Sequence, residues 1–205
     1  VPFNIIINFK LIKDYQKMFF FFWKLKRLEH SQNYQVWKDF MSQSHDIKSN
    51  YYILKNAMNI SIKFNQEIIH FLSNLHNFLS LEGLEYQYKN LIKELPKVND
   101  LNELIKKHKE FVHNIKTQCL LDEESITINK KIMNIFDIIL RFKSAHDILS
   151  RTLLEKRYEN LQSNALILNK VDYTQQAIRQ INNLYKEFQT QIIDLLHFIE
   201  FIGNK

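Results

Sequence analysis

The chain has 205 residues, 45% of them apolar and 24% charged, with 2 Gly and 2 Pro. That apolar share suffices for a packed core and excludes a wholly disordered chain, while so few turn-forming residues exclude a many-stranded β fold and suit long helices. The formal charge of +6 and pI of about 9.2 favour an acidic partner without choosing among nucleic acid, anionic lipid and protein, and the single Cys119 allows no internal disulfide and reads as a reducing compartment.

Val1-Pro2-Phe3 reads as the start of a fragment cut from a longer protein. Asn4 to Asn8 reads as a short buried strand, and no basic leader or small-residue cleavage site accompanies it. The first helix is expected from Leu11 to Met41, with Leu11, Tyr15, Met18, Phe22, Leu25 and Leu28 in three- and four-residue steps. Within it, Met18-Phe-Phe-Phe-Phe-Trp23 is far shorter than the roughly 20 apolar residues of a membrane span. Lys17 and Lys24 close it. A helix apolar on all sides for more than a turn belongs deep in a bundle.

The second helix is expected from Ile47 to Leu95, with Ile53, Met58, Ile62, Ile69, Leu72, Leu75, Leu79 and Leu84 as its stripe. Gly83 inside it costs about 1 kcal/mol relative to Ala and implies either close packing against another helix or a local bend. Pro96 stops the element and should push Leu95 out of the helical region. The third helix opens at Asp100-Leu-Asn-Glu103, a capping box in which the Asp accepts an early N–H and the Glu reaches back to the cap. Leu101, Leu104, Ile105, His108, Phe111, Val112 and Ile115 carry it to Leu121. A fourth helix should begin near Asp122, an acid suited to a helix N-terminus, and carry Ile128, Ile132, Ile135, Ile139, Phe142, Ile148, Leu149 and Leu153. The stretch from Asn160 to Lys170 reads as a loop. A fifth helix opens with Asp172-Tyr-Thr-Gln175, runs to Phe201 and ends at Gly203. The fold class is therefore all-α, an elongated bundle of about five long helices with one short N-terminal strand, forming a single helical domain over 1–205.

No motif for phosphate, dinucleotide, serine-hydrolase or zinc-protease chemistry occurs. His70 and His76, and His108 and His113, are spaced so that neither pair shares a helix face, and no second Cys completes a zinc site. His108 and Cys119 fall on apolar faces and read as core. Glu123 and Glu124 sit in an expected first turn, where acids serve the helix dipole. The reading is of a binding module that is not an enzyme and holds no cofactor or metal. A nucleic-acid strip would interleave many basic residues with aromatics. Lys24, Lys26 and Arg27 beside Trp23 come nearest, and Glu29 interrupts them. No helix has the strongly basic polar face of a membrane-surface helix.

Four segments carry a family resemblance. The run from Tyr15 to His30, an aromatic stretch leading into Trp23, a Lys/Arg pair and an acid, resembles a signature helix of the γ-tubulin complex components. Phe71 to Glu85, Asp100 to Val112 with Cys119-Leu-Leu-Asp122, and Ile135 to Phe142 resemble the next three blocks in the family's order, and Ile181 to Ile199 matches more loosely. The spacing is most similar to the branch of the third component and its spindle-pole-body relatives. The resemblance implies the C-terminal, γ-tubulin-binding portion of such a protein, with γ-tubulin and other complex components as partners. It further implies a role in microtubule nucleation and a place in the cytoplasm, on the cytoskeleton at microtubule-organising centres or spindle poles. It implies neither nucleic-acid binding nor membrane insertion. Gly83 stands where the family has a branched apolar residue, aromatics are missing near His76 and Asn77, and a long insert before the last helix is reduced to a short loop.

Under this resemblance the candidate partner-binding residues are Trp23, Lys24, Lys26 and Arg27, with Glu82 and Glu85 flanking Gly83. Trp23, Lys26 and Arg27 share a side while Lys24 points elsewhere, which suggests a basic rim meeting acidic γ-tubulin. Against it stands a packing account, in which Trp23 is core and Arg27 pairs with Glu82 or Glu85. A helical scaffold or adaptor bundle with another protein partner is the alternative function.

Overall fold

A computed structural model describes residues 7–36, 38, 52–159 and 170–203. Among them the chain is helical in five stretches, in keeping with the all-α expectation. The strand expected over Asn4–Asn8 lies mostly outside the described residues. Asn8 itself caps a helix: its side-chain oxygen accepts the Leu11 N–H at 2.9 Å and its carbonyl accepts the Ile12 N–H at 3.1 Å, satisfying donors that a helix start leaves open.

Helix α1 (Phe9–His30) widens into a π-helical segment, Ser31–Val36. Helix α2 (Tyr52–Phe78) passes through a second π-helical segment, Leu79–Glu85, into α3 (Tyr86–Glu94) and a 3-10 turn, Leu95–Lys97. Helices α4 (Leu101–Gln118), α5 (Ile126–Glu159) and α6 (Lys170–Gly203) follow. The ends expected at Met41 and Ile47, and nearly all of the loop at 160–170, fall outside the described residues.

Several boundaries differ from expectation. Leu95 keeps right-handed helical angles (φ −53, ψ −41). Pro96 is accommodated in the tight 3-10 turn, where its missing N–H is not needed, and the chain leaves the helix at Val98 (ψ 123). Asp100 caps α4 as expected, its carboxylate accepting the Glu103 N–H at 2.6 Å. Glu103, however, accepts from the N–H of Asn99, one residue before the cap, at 3.2 Å. Asp122 precedes its helix by a turn: it accepts the Ser125 N–H at 3.0 Å, and α5 starts after Ser125, whose carbonyl takes the Asn129 N–H at 2.9 Å. Helix α6 is already under way at Asp172, so the box expected there does not open it.

Cys119-Leu-Leu-Asp122 contains the end of α4. Leu120 N–H bonds the Thr117 carbonyl at 3.0 Å and Leu121 N–H the Lys116 carbonyl at 2.9 Å. These are the paired bonds of a Schellman stop, with Leu120 in the left-handed position (φ 59) usually given to Gly. Asn129 Nδ2 covers the Leu120 carbonyl at 3.1 Å.

The chain divides into two compact units, residues 1–26 with 72–130 and residues 27–71 with 131–205. In the first, Leu11, Met18, Phe21 and Leu25 of α1 are buried, as are Leu72, Leu79, Val112, Ile115 and Cys119. Helix α4 packs along α3 and the π-helical turn before it. Gly83 faces this packing: a Cβ there would lie 2.8 Å from Cys119 Sγ. Close approach to another helix is therefore the reason for the glycine. In the second unit, Phe64 of α2 centres a ring cluster with Phe142 (4.4 Å between centroids), Tyr185 (5.1 Å) and Phe188 (5.3 Å). Glu67 accepts hydrogen bonds from the Tyr185 hydroxyl and from Gln189 beside it. Each fully buried large side chain contributes about 1.5–3 kcal/mol over its exposed state.

Candidate functional site

Helix α1 carries one apolar stripe inward and a second outward. The run Met18–Trp23 has more apolar positions than one face can hold, since successive residues turn by about 100° around a helix. Met18 and Phe21 go inward, whereas Phe19, Phe20 and Trp23 are 60%, 64% and 59% exposed. This overturns the expectation that the run lies deep in a bundle, and with it the packing account of Trp23. The outward rings are ordered on one another: Phe19 stacks on Trp23 (6.0 Å, 14° between planes) and meets Phe20 edge-on at 5.8 Å. Earlier on the same helix Phe9 and Ile12 are exposed, with the Lys13 ammonium 4.6 Å from the Phe9 ring, a cation–π distance.

The other candidate residues are distributed as follows. Lys26 and Arg27 are exposed and Lys24 is half-buried, while Glu29 is buried. Glu82 is exposed in the π-helical turn. Glu85 is exposed and pairs with Lys89 one turn on at 2.6 Å, an exposed pair of the kind that contributes at most about 1 kcal/mol. The structure thus places Trp23 and Lys26 together on the outer side of α1.

The inner side of α1 is fixed by polar as well as apolar contacts. Asp14 and Lys116 form a half-buried ion pair at 2.9 Å. The Tyr15 hydroxyl lies 2.9 Å from His108 Nε2. Burial pushes the Tyr15 hydroxyl up and the His108 imidazole down. Cys119 is fully buried, and burial pushes its thiol up to about 12, which suppresses the thiolate that nucleophilic chemistry needs. Among the described residues no group of three or more His, Cys, Asp or Glu could hold a metal ion, and no helix is long and apolar enough to cross a membrane.

Comparison with known proteins gives these features a context. The family described as gamma tubulin complex component C-terminal matches residues 1–205. The chain belongs to the γ-tubulin complex component family. It is 29% identical over 172 residues to gamma-tubulin complex component 3 of Arabidopsis thaliana, covering 80% of this chain and 20% of that protein. The Xenopus laevis gamma-tubulin complex component 3 homolog is 28% identical over 78% of the chain and 18% of its own length. Spindle pole body component 98 of Dictyostelium discoideum is 26% identical over 95% of the chain and 22% of its own. The chain thus spans about a fifth of the length of these curated relatives. The outward rings of Phe19, Phe20 and Trp23 lie in the same stretch, Tyr15 to His30, that resembles the first family block. Phe9, Ile12, Phe19 and Phe20 were not singled out by sequence reasoning as contact residues. The signal available was the surplus of apolar positions beyond one helical stripe.

Proposed function

We propose that this chain is the γ-tubulin-binding part of a γ-tubulin complex component, acting as one helical domain over 1–205. The whole protein, in this reading, joins other complex components and holds γ-tubulin in a fixed geometry to nucleate microtubules at a microtubule-organising centre or spindle pole. The observation that carries the reading is the family match over the full chain, with relatives named for the γ-tubulin complex and the spindle pole body. The outward aromatic and basic residues of α1 support it, because desolvated aromatic anchors beside cations are the usual material of protein interfaces. No catalysis is assigned; the work is positioning.

The test is capture of purified γ-tubulin by the whole natural polypeptide. Lys26→Glu/Arg27→Glu is expected to weaken capture about tenfold at moderate salt by removing electrostatic complementarity, with helicity by circular dichroism unchanged. Undiminished capture by the double variant would remove Lys26 and Arg27 from the contact. Failure of the unaltered polypeptide to capture γ-tubulin, with recovery of other partners, would favour a helical adaptor instead.

A further inference from the structure

We propose that the outer side of α1, from Phe9 to Trp23, is a docking seam for an acidic amphipathic helix of γ-tubulin. The partner's name rests on the function proposed above; the seam rests on α1 itself. Phe9, Ile12, Gln16, Phe19 and Trp23 follow steps of three, four, three and four, the a/d spacing by which one helix meets another. All five are exposed, while Leu11, Met18, Phe21 and Leu25 fill the opposite side and are buried. The seam is about 21 Å long, four turns of a facing helix. Gln16 stands at its middle, a polar residue at an a position of the kind that sets register between paired helices.

Charge selects the occupant. Between Phe9 and Lys26 the single acid is Asp14, and it is half-buried and paired with Lys116. Lys13 borders the seam and Lys26 continues its spacing beyond Trp23, both exposed, while the exposed Lys10 and Lys17 lie farther round α1. A helix with acidic flanks and an apolar stripe complements this face, and like charge excludes basic ones.

The experiment places Phe19→Ser/Trp23→Ser in the whole natural polypeptide and measures γ-tubulin affinity, with Phe78→Ser, an exposed apolar residue outside α1, as control. The seam predicts at least about a tenfold loss for the double variant, as for anchor residues, with unchanged helicity and an unchanged control. In the unaltered background, p-benzoylphenylalanine in place of Gln16 is expected to crosslink to an acid-rich helix of γ-tubulin, which keeps the test valid should the double variant misfold. Unchanged affinity of a folded double variant, or crosslinks confined to γ-tubulin loops, overturns the seam while leaving γ-tubulin binding standing. Absence of γ-tubulin binding by the unaltered polypeptide overturns both. Loss of binding to vesicles of anionic phospholipid with γ-tubulin affinity intact assigns the face to lipid and overturns the seam.

Discussion

At the scale of single residues, Gly83 shows what position in sequence does and does not disclose. A glycine mid-helix signals close approach or bending, and the structure decides for approach, to a Cys119 that lies far along the chain. No local pattern could name that partner, because the contact joins two helices. Adding a methyl at Gly83 gains about 1 kcal/mol of helix propensity but brings it 2.8 Å from a fully buried sulfur. Overpacking of that kind costs about 1–3 kcal/mol, so Gly83→Ala is expected to destabilise the chain. Cys119→Ala alone should also destabilise, by opening a small cavity. Combined, the new methyl occupies the space of the lost sulfur, and the double variant is expected to be more stable than the sum of the singles by about 1–2 kcal/mol. Urea unfolding of the four proteins measures this coupling. Additive effects would mean that the two residues do not share the space.

At the scale of elements, signals with one physical meaning were legible and those with two were not. Asp100 sits before an apolar-periodic run with no competing cap, and its bond to the Glu103 N–H forms as read. Removing it in Asp100→Ala should cost about 1 kcal/mol, visible as a lowered unfolding midpoint. Asp100→Asn, which keeps an acceptor, should recover most of the loss, and equal losses in both would assign the effect to charge. Asp122 carries the same signal but spends it on a turn, because Leu120 in the left-handed region has just reversed the chain. Leucine is a poor candidate for that conformation, so sequence alone could not place the stop there. Helix phase was ambiguous wherever apolar residues were in surplus. Phe21 is buried in place of Phe22, and Ile68 more completely than Ile69. The same surplus hid the candidate site: the aromatic run that looked like core is core on one side and surface on the other.

At the scale of the whole molecule, buried titratable groups set the pH range in which the fold is held. His146 is fully buried on α5, with its ring 6.1 Å from that of Phe142. Burial pushes its imidazole down to about 4, against an opposing pull from Asp147. His108 moves in the same direction for the same reason. A depressed histidine stays neutral in the folded chain while the unfolded chain takes up its proton near pH 6.5. Its stabilising contribution is therefore complete above about pH 6.5 and is lost as pH falls toward 4. Cys119 has the opposite sign. Its thiol, raised to about 12, stays protonated in the folded chain, so stability is complete below the unfolded thiol's value near 8.5 and declines as pH rises toward 12. The raised Tyr15 hydroxyl acts in the same direction. Stability should therefore be level between about pH 7 and 8.5 and fall on both sides. From pH 7 to pH 5, before carboxylates dominate, His146 should account for about 1–2 kcal/mol, read as a drop in the urea midpoint. His146→Phe should reduce this acid limb, leaving the contribution of His108, and Cys119→Ala should reduce the alkaline one, leaving that of Tyr15. An acid limb of full size in a folded His146→Phe variant would show that other groups take up those protons.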